Sequence, residues 1–202
     1  MLSRKTWPTD TIVAALPRGG VPIAYEISRA LRLPMDICTV RKLGTPQQPE
    51  LAMGAIGTGG AVVLNRHVIR DMGVTTDQLV HEIELERAEL DRRETKYRQG
   101  EKPLSPAGKT VILVDDGIAT GATVEAAIKA MRQRGAKRVV VATGVAARET
   151  VSRLVEDADG VYSVLMPDSL HSIGEWYEDF EQVSDAEVCT LLDQAAEILV
   201  AT

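Results

Sequence analysis

The stretch Thr110–Met131, TVILVDDGIATGATVEAAIKAM, sets the architecture of this 202-residue chain. Thr110 to Val114 is a run of β-branched and aliphatic residues with no alternation, the pattern of a strand buried on both faces of a parallel sheet. It ends in two carboxylates, Asp115 and Asp116, followed by a loop holding Gly117, Thr120, Gly121 and Thr123. That loop opens directly into a helix whose Val124, Ala127, Ile128 and Met131 share one face, with Gly135 as its left-handed stop. Open α/β sheets bind ligands at the carboxyl ends of their strands. A loop entering a helix amino terminus offers unpaired N–H groups and the positive end of the helix dipole, which suit a phosphate dianion. Gly117 and Gly121 let a phosphate reach the backbone, and the two threonines add hydroxyl donors. Carboxylates pointed at that phosphate would repel it. They fit one sugar away, accepting hydrogen bonds from vicinal hydroxyls.

Other anion-binding loops do not match. A Walker loop needs Gly-Lys-Ser/Thr, and here Gly121 precedes Ala122. A dinucleotide fold needs Gly-x-Gly-x-x-Gly after the strand, which is absent. Paired aspartates also bind magnesium in receiver domains and aspartyl phosphatases, but those sites lack a Gly-x-x-Thr-Gly cradle.

Working outward, short apolar runs alternate with amphipathic stretches, the signature of an α/β parallel sheet. Strands are predicted at Thr11–Leu16, Met35–Val40, Ala61–Leu64, Arg138–Thr143 and Val161–Leu165. A helix is predicted over Val21–Arg32, with Ile23, Ile27 and Leu31 as its stripe and Pro22 in the first turn. A closing helix starts at the Ser184/Glu187 capping-box pattern and carries Val188, Leu191, Leu192, Ala195 and Leu199. Gly44–Gly60, rich in glycine and proline, reads as a long loop or hairpin, and long loops within compact domains are usually functional. Asp77–Arg98 reads as a charged surface helix with a narrow stripe of Leu79, Val80, Ile83 and Leu90.

At about 150 residues per domain, the length predicts a single domain over residues 1–202. No run reaches the roughly 20 apolar residues of a membrane span, and the amino terminus lacks a signal-peptide pattern, so the expected location is cytoplasmic. Cys38 and Cys189 have neither zinc nor disulfide spacing and are expected to be buried thiols. With a net charge of −6, the chain lacks the general attraction on which non-specific nucleic-acid binding rests. Seven aromatic residues are too few for a base-stacking surface.

Apolar strand, acid pair, Gly-x-x-Thr-Gly and Thr resemble, without a gap, the 5-phosphoribosyl-1-pyrophosphate (PRPP) signature of the type I phosphoribosyltransferases. The resemblance runs from about Thr11 to Leu192, looks like a poorly characterised bacterial branch, and implies a parallel sheet flanked by helices. It implies that Asp115 and Asp116 hold the ribose hydroxyls. Gly117, Ala119, Thr120, Gly121, Ala122 and Thr123 would then hold the 5-phosphate. It also gives LPRGGVPIA, Leu16–Ala24, the role of a pyrophosphate loop, with Arg18 offsetting charge and Gly19 and Gly20 allowing close approach. Arg41 and Lys42 would join them, Lys42 favoured. Gly44–Gly60 falls where such proteins keep a flexible loop, with Glu50 as its candidate catalytic carboxylate beside Lys42. A small hood is expected over residues 166–184 plus the amino terminus, with Leu170, Trp176 and Tyr177 as base contacts; Phe180 and His171 lie in the same segment, while His67 and His81 show no partner spacing.

The implied reaction transfers the phosphoribosyl group to a nitrogenous base or amine and releases pyrophosphate. Mg2+ would arrive on PRPP rather than in a protein cage. In 6-oxopurine enzymes the residue at Ala119 is an aspartate that works on the ring, so a purine-salvage role of that kind is not implied; adenine-using members carry alanine there and a loop carboxylate. The expected assembly partner is a second copy. A regulatory alternative keeps the site as a PRPP or nucleotide sensor that binds RNA, for which Arg87–Arg98 is the available basic patch. A further alternative acts on PRPP without a base, as a hydrolase or with an amine acceptor.

Overall fold

The computed structural model describes residues 2–200, except the side chains of Leu199 and Val200. Met1, Ala201, Thr202 and the side chain at the predicted stripe position Leu199 therefore lie outside what the structure describes. Five strands form a parallel sheet: β1 (Ile12–Ala15), β2 (Met35–Ile37), β6 (Thr110–Ile118), β7 (Arg138–Ala146) and β8 (Val161–Leu165), in the order β2-β1-β6-β7-β8. The crossovers use α1 (Gly20–Leu31), α4 (Ala122–Gln133) and α5 (Arg148–Asp157), and α6 (Asp185–Val200) closes the chain. A second sheet, of antiparallel strands, is formed by β3 (Val40–Gly44), β4 (Ala52–Gly57) and β5 (Ala61–Leu64). Two helices, α2 (Arg66–Asp71) and α3 (Thr76–Arg98), lead from it back to β6.

Because successive strand residues face opposite sides, β6 serves two cores at once. Val111 and Leu113 pack with Ile128, Met131 and Leu154 beneath α4 and α5, whereas Ile112 and Val114 pack with Val21, Ala24 and Val188 beneath α1 and α6. This double burial explains the unbroken apolar run. A third cluster of Leu43, Met53, Ile56 and Leu90 joins the antiparallel sheet to α3.

Several expectations are corrected. Ala61–Leu64 is a strand, but it belongs to the antiparallel sheet. Of the two readings of Gly44–Gly60, loop or hairpin, the hairpin holds: β4 occupies Ala52–Gly57 against β3, and a short 3-10 turn fills Thr58–Gly60. Small residues such as Gly54 and Ala55 gave β4 no strand-like pattern. The predicted Met35–Val40 strand divides into β2 and the start of β3, while β6 continues past Val114 through both aspartates to Ile118. Neither α2 nor α5 was expected. Cys38 is buried, its thiol pushed up to about 12 by loss of water, but Cys189 is only half-buried.

In α3, a capping box of Thr75 and Gln78 starts the helix, Leu79, Ile83 and Leu90 meet the third cluster, and Val80 is exposed rather than part of the stripe. Arg98 is not a solvated charge either. It is buried, donates to Asp36 and to the Ile37 carbonyl at 3.1 Å, and so ties the end of α3 to β2.

Candidate active site

Strands β1 and β6 are neighbours in register, Ala15 opposite Val114, so the Leu16–Gly19 loop after β1 lies beside the last residues of β6, Asp115–Ile118, and the turn that follows them. Two hollows open there. A small one of about 190 Å³ is lined by Asp115, by Gly117 through Val124 and by Ile173. A cleft of about 610 Å³ is lined by Arg18, Gly19, Pro22, Ile23 and Asp116, with Tyr177, Phe180 and neighbouring residues of the 179–187 stretch on its far side. Continuation of β6 through the acid pair explains the division. Alternation along an extended strand turns Asp115 towards one hollow and Asp116 towards the other.

The loop after β1 presses directly on this pair. A Cβ at Gly19 would overlap the Asp116 carboxylate, so only glycine permits this approach. Gly20 serves packing instead, because its bare Cα lets α1 settle on the Val114 carbonyl of β6. Pro17–Arg18 is a cis peptide. Arg18 lines the cleft and pairs at 3.7 Å with Asp185 at the start of α6. Asp185 is itself held by Lys96 at 2.5 Å and by the Tyr97 hydroxyl at 2.8 Å, contacts that keep its carboxyl below the usual range.

Both aspartates accept from the next backbone N–H, Asp115 from Asp116 at 3.0 Å and Asp116 from Gly117 at 2.9 Å. Burial, and then the like charge of Asp116, push the Asp115 carboxyl well above its ordinary value. A neutralising ligand at this strand end would relieve that cost. Gly121, with φ of +78°, starts α4 in the left-handed region that glycine adopts without a side-chain clash.

The segment after β8 folds over both hollows. Ile173 occupies the space a side chain at Gly117 would need. Tyr177 donates from its hydroxyl to the Asp116 carbonyl at 2.6 Å, and Thr143 donates to the same oxygen at 3.1 Å. Burial, then the nearby Asp116, raise the Tyr177 phenol to about 12, keeping the donor protonated. Tyr177 stacks obliquely on Phe180, ring centres 5.2 Å apart.

All six residues expected at the 5-phosphate thus share one hollow, and Arg18 and Gly19 share the other with Asp116. Of the three hood contacts, Tyr177 lines the cleft; Leu170 and Trp176 are not among its lining residues. His171 is exposed and contacts Ser169 at 3.1 Å. Arg41, Lys42 and Glu50 line neither hollow. Arg41 pairs with Glu86 of α3 at 2.5 Å, and Lys42 reaches Glu50 across the β3–β4 hairpin at 3.1 Å. Phe180, placed in the hood segment by its sequence, lines the cleft, whereas nothing in the sequence pointed to Ile173, Asp185, Thr150 or Arg153. Only the sheet order and the crossover after β7 bring them to the strand ends. Among the described residues, no cluster of three or more His, Cys, Asp or Glu could cage a metal. The oxygen-rich acid pair suits a hard cation that arrives on an anionic ligand.

The model of the phosphoribosyl transferase domain matches residues 2–181, and the chain belongs to that family. The crystal structure of TT1426 from Thermus thermophilus superposes with a TM-score of 0.83 at 39% identity, covering 92% of this chain and 88% of that one. Two proteins of Mycobacterium tuberculosis, "Putative phosphoribosyl transferase MT0597" and "Putative phosphoribosyl transferase Rv0571c", are each 41% identical over 184 residues, 91% of this chain. The chain spans 42% of the length of these curated relatives. No helix among the described residues is long and apolar enough to cross a membrane.

Proposed function

We propose that this chain transfers the 5-phosphoribosyl group of PRPP to a nitrogenous base or amine. The C1–O bond to pyrophosphate breaks, a C1–N bond forms, and the acceptor nitrogen gives up a proton. The observation that carries this reading is the division of the acid pair between two adjoining hollows, Asp115 with the 117–124 loop in the smaller and Asp116 with Arg18 and Gly19 in the larger. It supports a ligand that spans from a terminal phosphate in the smaller hollow, across a diol on the acid pair, to a second anionic group beside Arg18.

In this reading the 117–123 loop holds the 5-phosphate, Asp115 and Asp116 take the ribose hydroxyls, and Arg18 and Gly19 meet the pyrophosphate. Magnesium brought by PRPP supplies countercharge to the leaving group. The chain's own work is positioning and electrostatic stabilisation, since the leaving group departs without a covalent enzyme intermediate. The acceptor enters the larger cleft between Ile23 and the Tyr177–Phe180 pair. Lys42 and Glu50 act there only if the hairpin that carries them moves towards the cleft.

The transferase reading is favoured over an RNA-binding sensor by the pairing of the basic patch. Arg92 and Arg93 are bound to Glu89, Lys96 to Asp185 and Arg98 to Asp36, which leaves Arg87 as the patch's remaining cation among the described residues. The test is pyrophosphate release from PRPP and Mg2+ across a panel of nucleobases and amines. Release with at least one acceptor, lost in Asp116→Asn, is expected. PRPP binding without turnover, accompanied by salt-dependent RNA retention, would favour the sensor, and absence of PRPP binding would overturn both.

A further inference from the structure

We propose that α5 is the positioning element of the phosphate cradle, acting through Thr150 and Arg153. Three consecutive carbonyls of the cradle are taken from its side. Ile118 O accepts from the Ala147 N–H at 3.0 Å, Ala119 O from the Thr150 hydroxyl at 2.5 Å, and Thr120 O from the Arg153 guanidinium. Thr150 is buried, and Gly121 lacks the Cβ that would strike its methyl group at 2.6 Å. Arg153 is fixed in turn by Glu125 of α4 at 2.7 Å.

A trans peptide is planar, with its C=O and N–H pointing in opposite directions. Turning the carbonyls of Ile118, Ala119 and Thr120 towards α5 therefore turns the N–H groups of Ala119, Thr120 and Gly121 away from it. These three residues line the smaller hollow, and their N–H groups have no hydrogen-bond partner among the described residues. Unpaired donors in a row are costly unless an anion takes them, and a loop free to rotate its peptides would turn them elsewhere. Thr150 and Arg153 prevent that rotation from behind, without touching the ligand.

This inference rests on the phosphoribosyl reading for the ligand but not for the brace, and the experiment separates the two. Ribose 5-phosphate and pyrophosphate are titrated separately into the full chain and into Thr150→Val, Thr150→Ser and Arg153→Met, while the backbone amide resonances of Ala119, Thr120 and Gly121 are followed by NMR. Loss of one buried hydrogen bond corresponds to roughly tenfold in affinity. Thr150→Val is expected to weaken ribose 5-phosphate by about that factor and Arg153→Met, whose bond is exposed, by less, with pyrophosphate changed less than twofold in both, and Thr150→Ser is expected to restore it. Wild-type affinity for ribose 5-phosphate in Thr150→Val, or equal weakening of both ligands, would overturn the brace. If the wild-type chain binds no ribose 5-phosphate, the phosphoribosyl reading fails. The brace is then decided by the amides, which must shift in Thr150→Val and return in Thr150→Ser. Unmoved amides overturn it.

Discussion

Replacing Asp115 by asparagine is expected to make the ligand-free chain more stable while weakening its hold on PRPP. Asp115 is half-buried at the end of β6, and burial and the charge of Asp116 raise its carboxyl well above the ordinary 3.8. An acid with a raised folded-state pKa binds more protons folded than unfolded, so stability falls as pH rises. The penalty is absent below about pH 3.8, grows as pH climbs towards the folded-state value, and is full above it. Each tenfold change in proton affinity corresponds to about 1.4 kcal/mol. For a domain of this size, every 1 kcal/mol recovered moves the melting temperature by roughly 2–4 °C. Asparagine keeps an Oδ1 that can accept the Asp116 N–H, so removal of the charge is the main change. The assay is thermal melting of both proteins without ligand from pH 3.5 to 8, followed by calorimetric titration of PRPP with Mg2+ at neutral pH. The variant should melt higher at neutral pH by an increment that shrinks on acidification. An increment that is negative, or independent of pH, would refute the assignment of strain to the acid pair. PRPP affinity equal to wild type would refute the ribose role.

Asp185→Asn carries the opposite sign: a carboxyl held low by Lys96 and Tyr97 stabilises above its unfolded value, so the variant should melt lower at neutral pH and converge with wild type as pH falls through the folded-state pKa. Melting curves against pH check this. Gly19→Ala should reduce PRPP affinity at least tenfold by displacing the Asp116 carboxylate, with an unchanged far-UV circular dichroism spectrum, as read by calorimetry. Arg98→Met leaves the largely buried Asp36 carboxylate without its cation, though still bonded to the Ile37 and Leu104 N–H groups, and should cost about 3 kcal/mol in urea unfolding.

The parallel sheet and the residues that share the smaller hollow were legible in the order of residues, for a local reason. An unbroken apolar strand, an acid pair and a glycine-threonine loop opening into a helix all lie within 22 consecutive residues, Thr110–Met131, and each reading there depends on near neighbours. The hairpin of Gly44–Gly60 was less legible because its β4 is built from small residues whose burial comes from α3 and α4 packing against the sheet. Three further assignments came only with the folded chain: Arg41 serves α3, Arg98 is a buried tie, and Tyr177 anchors the hood on a main-chain carbonyl. The bonding of α5 to the carbonyls of Ala119 and Thr120 is a fourth. These are contacts between residues 31 to 62 positions apart in the chain, and pairings at such distances follow from strand order and helix placement, which local periodicity does not encode.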